Sequence, residues 1–362
     1  MKRLLLILLA ACPGAPTSPD AGRRPVAFEK RVLDSTFRAE GVAVADLDGD
    51  GRRDIAIGDT AWLAPGWSRR TLVDRPALDP ATSYSDSFAV FAHDVNADGR
   101  NDLIAVGFPL SGAVWREQPA DGGSWLEHPL TGAAGSESPL FVDGRLIYAR
   151  GAELIALELL RDGGATEVRL GTATSAIPGH GLGRGDVDGD GQADHLTSIG
   201  VFLAPDWRFV AVDLGPDCAQ MHAYDFDGDG LNDVATSSAH FKGVWWHRQG
   251  PGMTFTRLTI DEEFSQSHAL AMADLDGDGR PELVTGKRRW AHGPSGDPEP
   301  NAPAVLYWYS YEAHDGGVEW TRHEIDSDAG VGTQFEVTDV TGDGRPDVVV
   351  ANKVGVFLFE SR

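Results

Sequence analysis

The residues in this chain best placed to do chemistry are short runs of carboxylates set around a glycine. The clearest is Asp274, Asp276, Asp278, Gly279 and Glu282, an Asp-x-Asp-x-Asp-Gly-x-x-acid loop between two apolar runs. Acids at alternate loop positions, with a glycine that supplies the tight turn, suit a hard cation. Calcium gathers about six to eight oxygens at once, so it favours a turn that aims alternate side chains and a backbone carbonyl inward. The same loop recurs as Asp46, Asp48, Asp50 and Asp54; Asp94, Asn96, Asp98 and Asp102; Asp186, Asp188, Asp190 and Asp194; Asp225, Asp227, Asp229 and Asp233; and Asp339, Thr341, Asp343 and Asp347, each with its glycine. An EF-hand loop needs an acid at its twelfth position, but counting on from Asp46, Asp186 and Asp339 gives Ile57, Thr197 and Val350, so neither an EF-hand nor a dockerin fits. Magnesium and a metal-free Asp-Gly hairpin turn are the alternatives. Repulsion argues against bare turns, since unit charges about 4 Å apart cost roughly 1 kcal/mol per pair in water and about 4 kcal/mol at an effective dielectric near 20. Calcium, up to six ions, is the expected cofactor.

The six loops hold 22 of the 55 acids and account for much of the formal charge of −24. Six divalent ions would bring that to about −12. Such acidity argues against nucleic acid or an anionic membrane surface as a partner, so a membrane is expected only through a lipid anchor. With 44 glycines and 21 prolines in 362 residues, the chain is punctuated by turns and reads as all-β.

The elements that must position these loops follow from their spacing. First aspartates at 46, 94, 186, 225, 274 and 339 leave gaps of 48, 92, 39, 49 and 65 residues. The gap of 92 holds two periods. Inside it, residues 138 to 160 keep alternating strands and a turn at Asp143 and Gly144 but lose the carboxylates. Each unit runs strand, acidic loop, strand, aromatic strand, charged strand, as in GVWWHRQ (243 to 249) followed by FTRLTID (255 to 261), and VLYWYSYE (305 to 312) followed by WTRHEID (320 to 326). Seven four-stranded units predict a seven-bladed β-propeller over residues 25 to 362, with one metal-free blade. The last unit stops at GVFLFESR without a fourth strand, while FEKRVLD (28 to 34) has the fourth-strand pattern before any first strand. The N-terminal strand is therefore expected to close the last blade.

The loops, their spacing and their flanking strands resemble the FG-GAP/VCBS repeat family, including the calcium-binding propeller repeats of integrin α subunits, over residues 26 to 360. The resemblance implies that the loop residues above are calcium ligands. Asn96, Thr341 and Glu282 are the substitutions within the motif.

If the acidic loops join first and second strands on one face, residues before first strands and after second strands meet on the other. That places His180, His268 and Gln334 on one rim, together with Lys287, Arg288, His292, Asn352 and Lys353. Trp62, Trp67 and Trp207 fall in the related loops WLAPGW and FLAPDW, and residues 291 to 304 form an insertion long enough for a binding loop. Aromatic faces for sugars and cations for a carboxylate suggest an anionic or polyhydroxylated ligand. The expected function is a non-catalytic propeller that binds a glycan or extracellular protein as a monomer. The alternative is a carbohydrate lyase or dehydratase, as in propeller enzymes similar to this one, with His180 or His268 as base or metal ligand and Lys287 and Arg288 steadying an enolate or uronate. The chain has no Gly-x-Ser-x-Gly, phosphate loop or His-Glu-x-x-His motif, which argues against hydrolase, kinase and zincin chemistry.

Residues 1 to 11, basic then apolar, read as a signal peptide, too short to span a bilayer. Leu9, Ala10, Ala11 and Cys12 resemble a bacterial lipobox. That resemblance implies lipidation at Cys12, a tether over residues 12 to 24, and an exported lipoprotein anchored at the outer membrane on its periplasmic or cell-surface side. With Cys12 acylated, the two cysteines cannot form an internal disulfide, so bound metal would have to stiffen the fold.

Overall fold

A computed structural model describes residues 23–362, apart from 109, 110, 135, 216, 217 and 316. The expected signal peptide, and Cys12 with its expected lipid, lie outside the described residues. The described chain forms 28 strands and no helix, in a β-propeller arrangement. The aromatic and charged runs singled out above become the strand pairs Lys242–Gly250 with Thr254–Ser265 and Leu306–His314 with Gly317–Asp326.

The reason the second strand of a unit reads as an unbroken apolar run is burial on both faces. Asp347–Asn352, Glu282–Gly286 and Asp102–Val106 are buried at every position. Each lies in the middle of a sheet, and neighbouring sheets cover both of its faces. Full burial of a valine or leucine contributes about 1.5–3 kcal/mol. The outer strands, such as Ser68–Thr71, are largely exposed and carry the charges.

Pairing gives five four-stranded sheets and one sheet of eight. The eight-stranded sheet forms where Leu182–Gly185 pairs in parallel with Met221–Tyr224, through Gly183 with Met221 and Arg184 with His222. Glycine permits this approach: a Cβ at Gly183 would stand 2.3 Å from the Met221 carbonyl oxygen, and one at Gly185 2.5 Å from Ala223 Cβ. The count of seven separate sheets expected from the repeats is thus not what the hydrogen bonds show. In the unit without carboxylates, Leu140–Val142 and Arg145–Arg150 join directly through a two-residue turn at Asp143 and Gly144, both at positive φ.

The strand Phe28–Asp34 pairs antiparallel with Gly355–Ser361 and becomes the fourth strand of the sheet that also holds Asp347–Asn352 and Glu336–Thr338. The backbone N–H of Arg362 donates to the Ala27 carbonyl at 2.8 Å, so the two ends of the described chain lie side by side.

Candidate functional site

The acidic loops share one internal geometry. The first aspartate accepts backbone N–H groups on both carboxylate oxygens: at Asp46 from Gly49 at 2.7 Å and Gly51 at 2.9 Å, and at Asp186 from Gly189 at 2.8 Å and Gly191 at 2.9 Å. Asp225, Asp274 and Asp339 repeat the pattern. The glycines that donate have φ near +80°, a conformation that a side chain would strain.

The last acid of each loop is buried and ties the loop to its own sheet. Asp54 accepts from Leu47 N and Ala64 N, both at 2.8 Å; Asp194 accepts from Val187 N and Ala204 N at 2.8 and 2.9 Å. Burial pushes these carboxyls up, Asp233 to about 6 and Glu282 to about 7.

The donor set fits a hard cation. In three loops, oxygens of Asp46, Asp48 and Asp50, of Asp186, Asp188 and Asp194, and of Asp225, Asp227 and Asp229 lie within 4.8 Å of one another. Oxygen-only ligation of this kind is what calcium takes.

Arginines answer part of the charge that repulsion alone would leave. Arg52 reaches Asp50, Arg100 reaches Asp98, Arg248 reaches Asp227 and Asp229, and Arg345 reaches Asp343. Arg280 and Arg23 both reach Asp278. Among the described residues, no ion pair reaches the loop from Asp186 to Asp194.

At the opposite ends of the same strands a second polar cluster fills the centre of the ring. His180 and His268 precede first strands, His240 follows a second strand, and Glu137 precedes the first strand of the unit without an acidic loop. His268 Nε2 lies 2.8 Å from Glu137 Oε2, while its Nδ1 lies 2.9 Å from the Ala239 carbonyl oxygen. His240 Nε2 and His180 Nε2 are 2.7 Å apart. Arg288 donates through Nε and Nη2 to Glu40 at 3.0 and 2.5 Å, and through Nη1 to Glu137 at 3.4 Å. Burial alone would raise Glu137, but the hydrogen bond to His268 and the charges of His268 and Arg288 hold it well below the usual carboxylate range.

Comparison with known families finds its match in the middle of this array. Residues 225–285 carry an FG-GAP-like repeat. The matched stretch runs from the first acid of one loop, through the next loop, to the strand Glu282–Gly286. Comparison with curated proteins finds none that matches the chain. In the FG-GAP-like repeat the acidic loop and the opposite strand ends are about one strand length apart, so a single unit contributes to both candidate sites.

The rim residues read from the sequence fall into distinct groups. His180, His268 and Arg288 meet in the central cluster. His292 stands at its outer edge, stacked on His240 at 4.5 Å and bonded through Nδ1 to Asp297 at 3.0 Å. Lys287 is buried, its ammonium on Ser265 Oγ at 2.7 Å, and burial pushes its pKa down to about 8. Lys353 is held by the Trp290 carbonyl at 3.0 Å and lies 4.5 Å from the Tyr84 ring centre.

The amides of Gln334 and Asn352 serve the backbone. Gln334 accepts from Val42 N and donates to Val42 O; Asn352 donates to Ala329 O and accepts from Val354 N. The tryptophan loops lie at the other end of the strands. Ala64 and Ala204 donate to the loop acids Asp54 and Asp194, which places Trp67 and Trp207 beside the acidic loops, and Trp62 is core.

Sequence reasoning missed Glu137, His240, Tyr84 and Phe108. The signal for His240 was present, because it follows Asp233–Ser237 as Lys287 and Arg288 follow Glu282–Gly286. Tyr84 and Phe108 lie outside the strands and have no periodicity to flag them.

Proposed function

We propose that this protein is an exported, surface-anchored, calcium-stabilised propeller that binds an anionic or polyhydroxylated ligand, a glycan first, on the face opposite the acidic loops. In this reading the eight-stranded sheet is two blades joined at Gly183, which gives seven blades in all. The acids of the six loops hold calcium, whose charge offsets carboxylates that the fold crowds together.

The observation that carries the ligand reading is an aromatic pair at the mouth of the central cluster. Tyr84 and Phe108 are 38 % and 42 % exposed with ring centres 4.8 Å apart. The Lys353 ammonium lies beside the Tyr84 ring, and the Tyr84 hydroxyl donates to the Ala291 carbonyl at 3.0 Å, one residue from His292. Exposed ring faces next to a cation and an imidazole suit the apolar face and the carboxylate of a uronate sugar.

Calorimetric titration with a panel of uronate-containing polysaccharides tests this. Tyr84→Ala and Phe108→Ala should each weaken binding by about five- to twelvefold in protein that stays folded, taking one aromatic contact as about 1–1.5 kcal/mol. Binding that survives both substitutions refutes the assignment of the face. New unsaturated product absorbance, lost in His268→Ala, would instead favour the lyase or dehydratase.

A further inference from the structure

Three imidazoles and one carboxylate converge at the centre of the ring in the geometry of a metal-binding site. The ring centres of His180, His240 and His268 are 4.7, 5.0 and 5.3 Å apart, and the rings are inclined to one another by 63°, 79° and 75°. Imidazoles around one tetrahedral zinc ion, with Zn–N about 2.0 Å, place their ring centres about 5 Å apart. Glu137 Oε2 lies 2.8 Å from His268 Nε2 and 3.7 Å from His180 Nδ1, while His180 turns Nε2 to His240. Ligand atoms of Glu137, His180 and His268 lie within 4.8 Å of one another.

The outer contacts also have the form seen around metal ligands. His268 directs Nδ1 to the Ala239 carbonyl, which orients the ring so that Nε2 faces Glu137. His240 has Nδ1 3.5 Å from Asp297 Oδ1 while its Nε2 faces His180. Asp297 is itself held by His292, through backbone N at 2.9 Å and Nδ1 at 3.0 Å. His268 Nε2 and Glu137 Oε2, 2.8 Å apart, must share a proton or a cation. Arg288 Nη1, 3.0 Å from His268 Nε2, supplies part of that charge, but Glu40 anchors the guanidinium through its other nitrogens, so only Nη1 would have to give way.

We propose that Glu137, His180 and His268 bind one divalent transition-metal ion of the zinc class, with His240, itself beside Asp297, as a positioning residue for His180. A nitrogen-rich set selects such an ion over calcium, which takes oxygen. The chain would thus hold two kinds of metal at opposite ends of its strands. The inference stands apart from the glycan reading, because it needs no ligand beyond the ion.

The test uses untagged full-length protein, stripped of metal and then saturated with calcium, titrated with Co²⁺ and Zn²⁺. One equivalent should bind with the visible absorption of nitrogen-ligated cobalt and resist excess calcium. His180→Ala and His268→Ala should each weaken it by about 100-fold or more, and His240→Ala or Asp297→Asn by about 10-fold. His323→Ala, on an outer strand, should leave it unchanged. Should a histidine variant fail to fold, electron paramagnetic resonance of Cu²⁺ on the wild type decides, with coupling to imidazole nitrogens expected. Cobalt displaced by calcium, uptake unchanged in folded His180→Ala and His268→Ala, or oxygen-only copper coordination would each overturn the proposal.

Discussion

Neutralising one acid in the loop from Asp186 to Asp194 should stabilise the protein without calcium, and calcium should reduce or cancel that gain. That loop has no arginine partner among the described residues, whereas Asp278 has two. Without metal, Asp188→Asn removes repulsion worth about 1 kcal/mol for each neighbouring carboxylate near 4 Å in water, so the variant should be the more stable protein. With calcium, the same change disables one site. If the loops bind as extracellular modules do, with dissociation constants of about 10⁻⁴–10⁻³ M, each filled site at 1 mM calcium contributes about 0.4–1.4 kcal/mol. Six sites then contribute about 2–8 kcal/mol. At roughly 0.7 kcal/mol per degree for a chain of this length, calcium should raise the melting temperature of the wild type by about 3–12 °C over EGTA. Thermal melts followed by circular dichroism, on wild type and Asp188→Asn in both buffers, provide the four numbers needed. Asp278→Asn should show the smaller gain in EGTA, because Arg23 and Arg280 already answer its charge. A wild-type melt indifferent to calcium, or a gain for Asp188→Asn as large in calcium as in EGTA, would refute the reasoning.

Two further outcomes are expected. Deleting residues 25 to 36 removes the strand whose six paired residues join it to Gly355–Ser361, and ladder bonds of about 1 kcal/mol each would take roughly 6 kcal/mol from a total stability of about 5–15 kcal/mol. Cooperative melting should be lost, and an unchanged melting temperature would rule out closure by this strand. His247 is buried, and burial together with Arg257 pushes its pKa down to about 4. The unfolded chain takes up a proton near pH 6.5 that the folded chain refuses until about pH 4, so stability falls as pH drops through that window, by about 3 kcal/mol at its end. Urea unfolding of His247→Gln should show a correspondingly shallower loss between pH 6.5 and 4, and a slope identical to wild type would count against the assignment.

The parts of the fold that the sequence made legible are those fixed by local chemistry. An Asp-Gly loop that bonds its own backbone needs particular residues at particular offsets, so its positions could be read directly. The same is true of Phe28–Asp34, whose charged alternation marks an outer strand. The parallel contact at Gly183 was not legible, because it depends on how closely two inner strands approach across the ring. The rim was read only in part. Gln334 and Asn352 sit at the expected strand ends, yet a polar side chain that bonds nearby backbone looks the same in sequence as one held out for a ligand. Glu137 was hidden by the absence of an acidic loop in its unit, although it precedes Leu140–Val142 much as His268 precedes Leu270–Ala273.

The chain enters the ring beside an acidic loop: Arg24 N donates to the Asp276 carbonyl at 2.7 Å, and Arg23 pairs with Asp278. Were Cys12 fixed in a lipid leaflet, the eleven residues from there to Arg23 could reach at most about 40 Å. The molecule would hang with its carboxylate-rich side toward the headgroups and its histidines facing outward. Its orientation would then follow from two arginines, and whatever it captures would arrive from the side away from the bilayer.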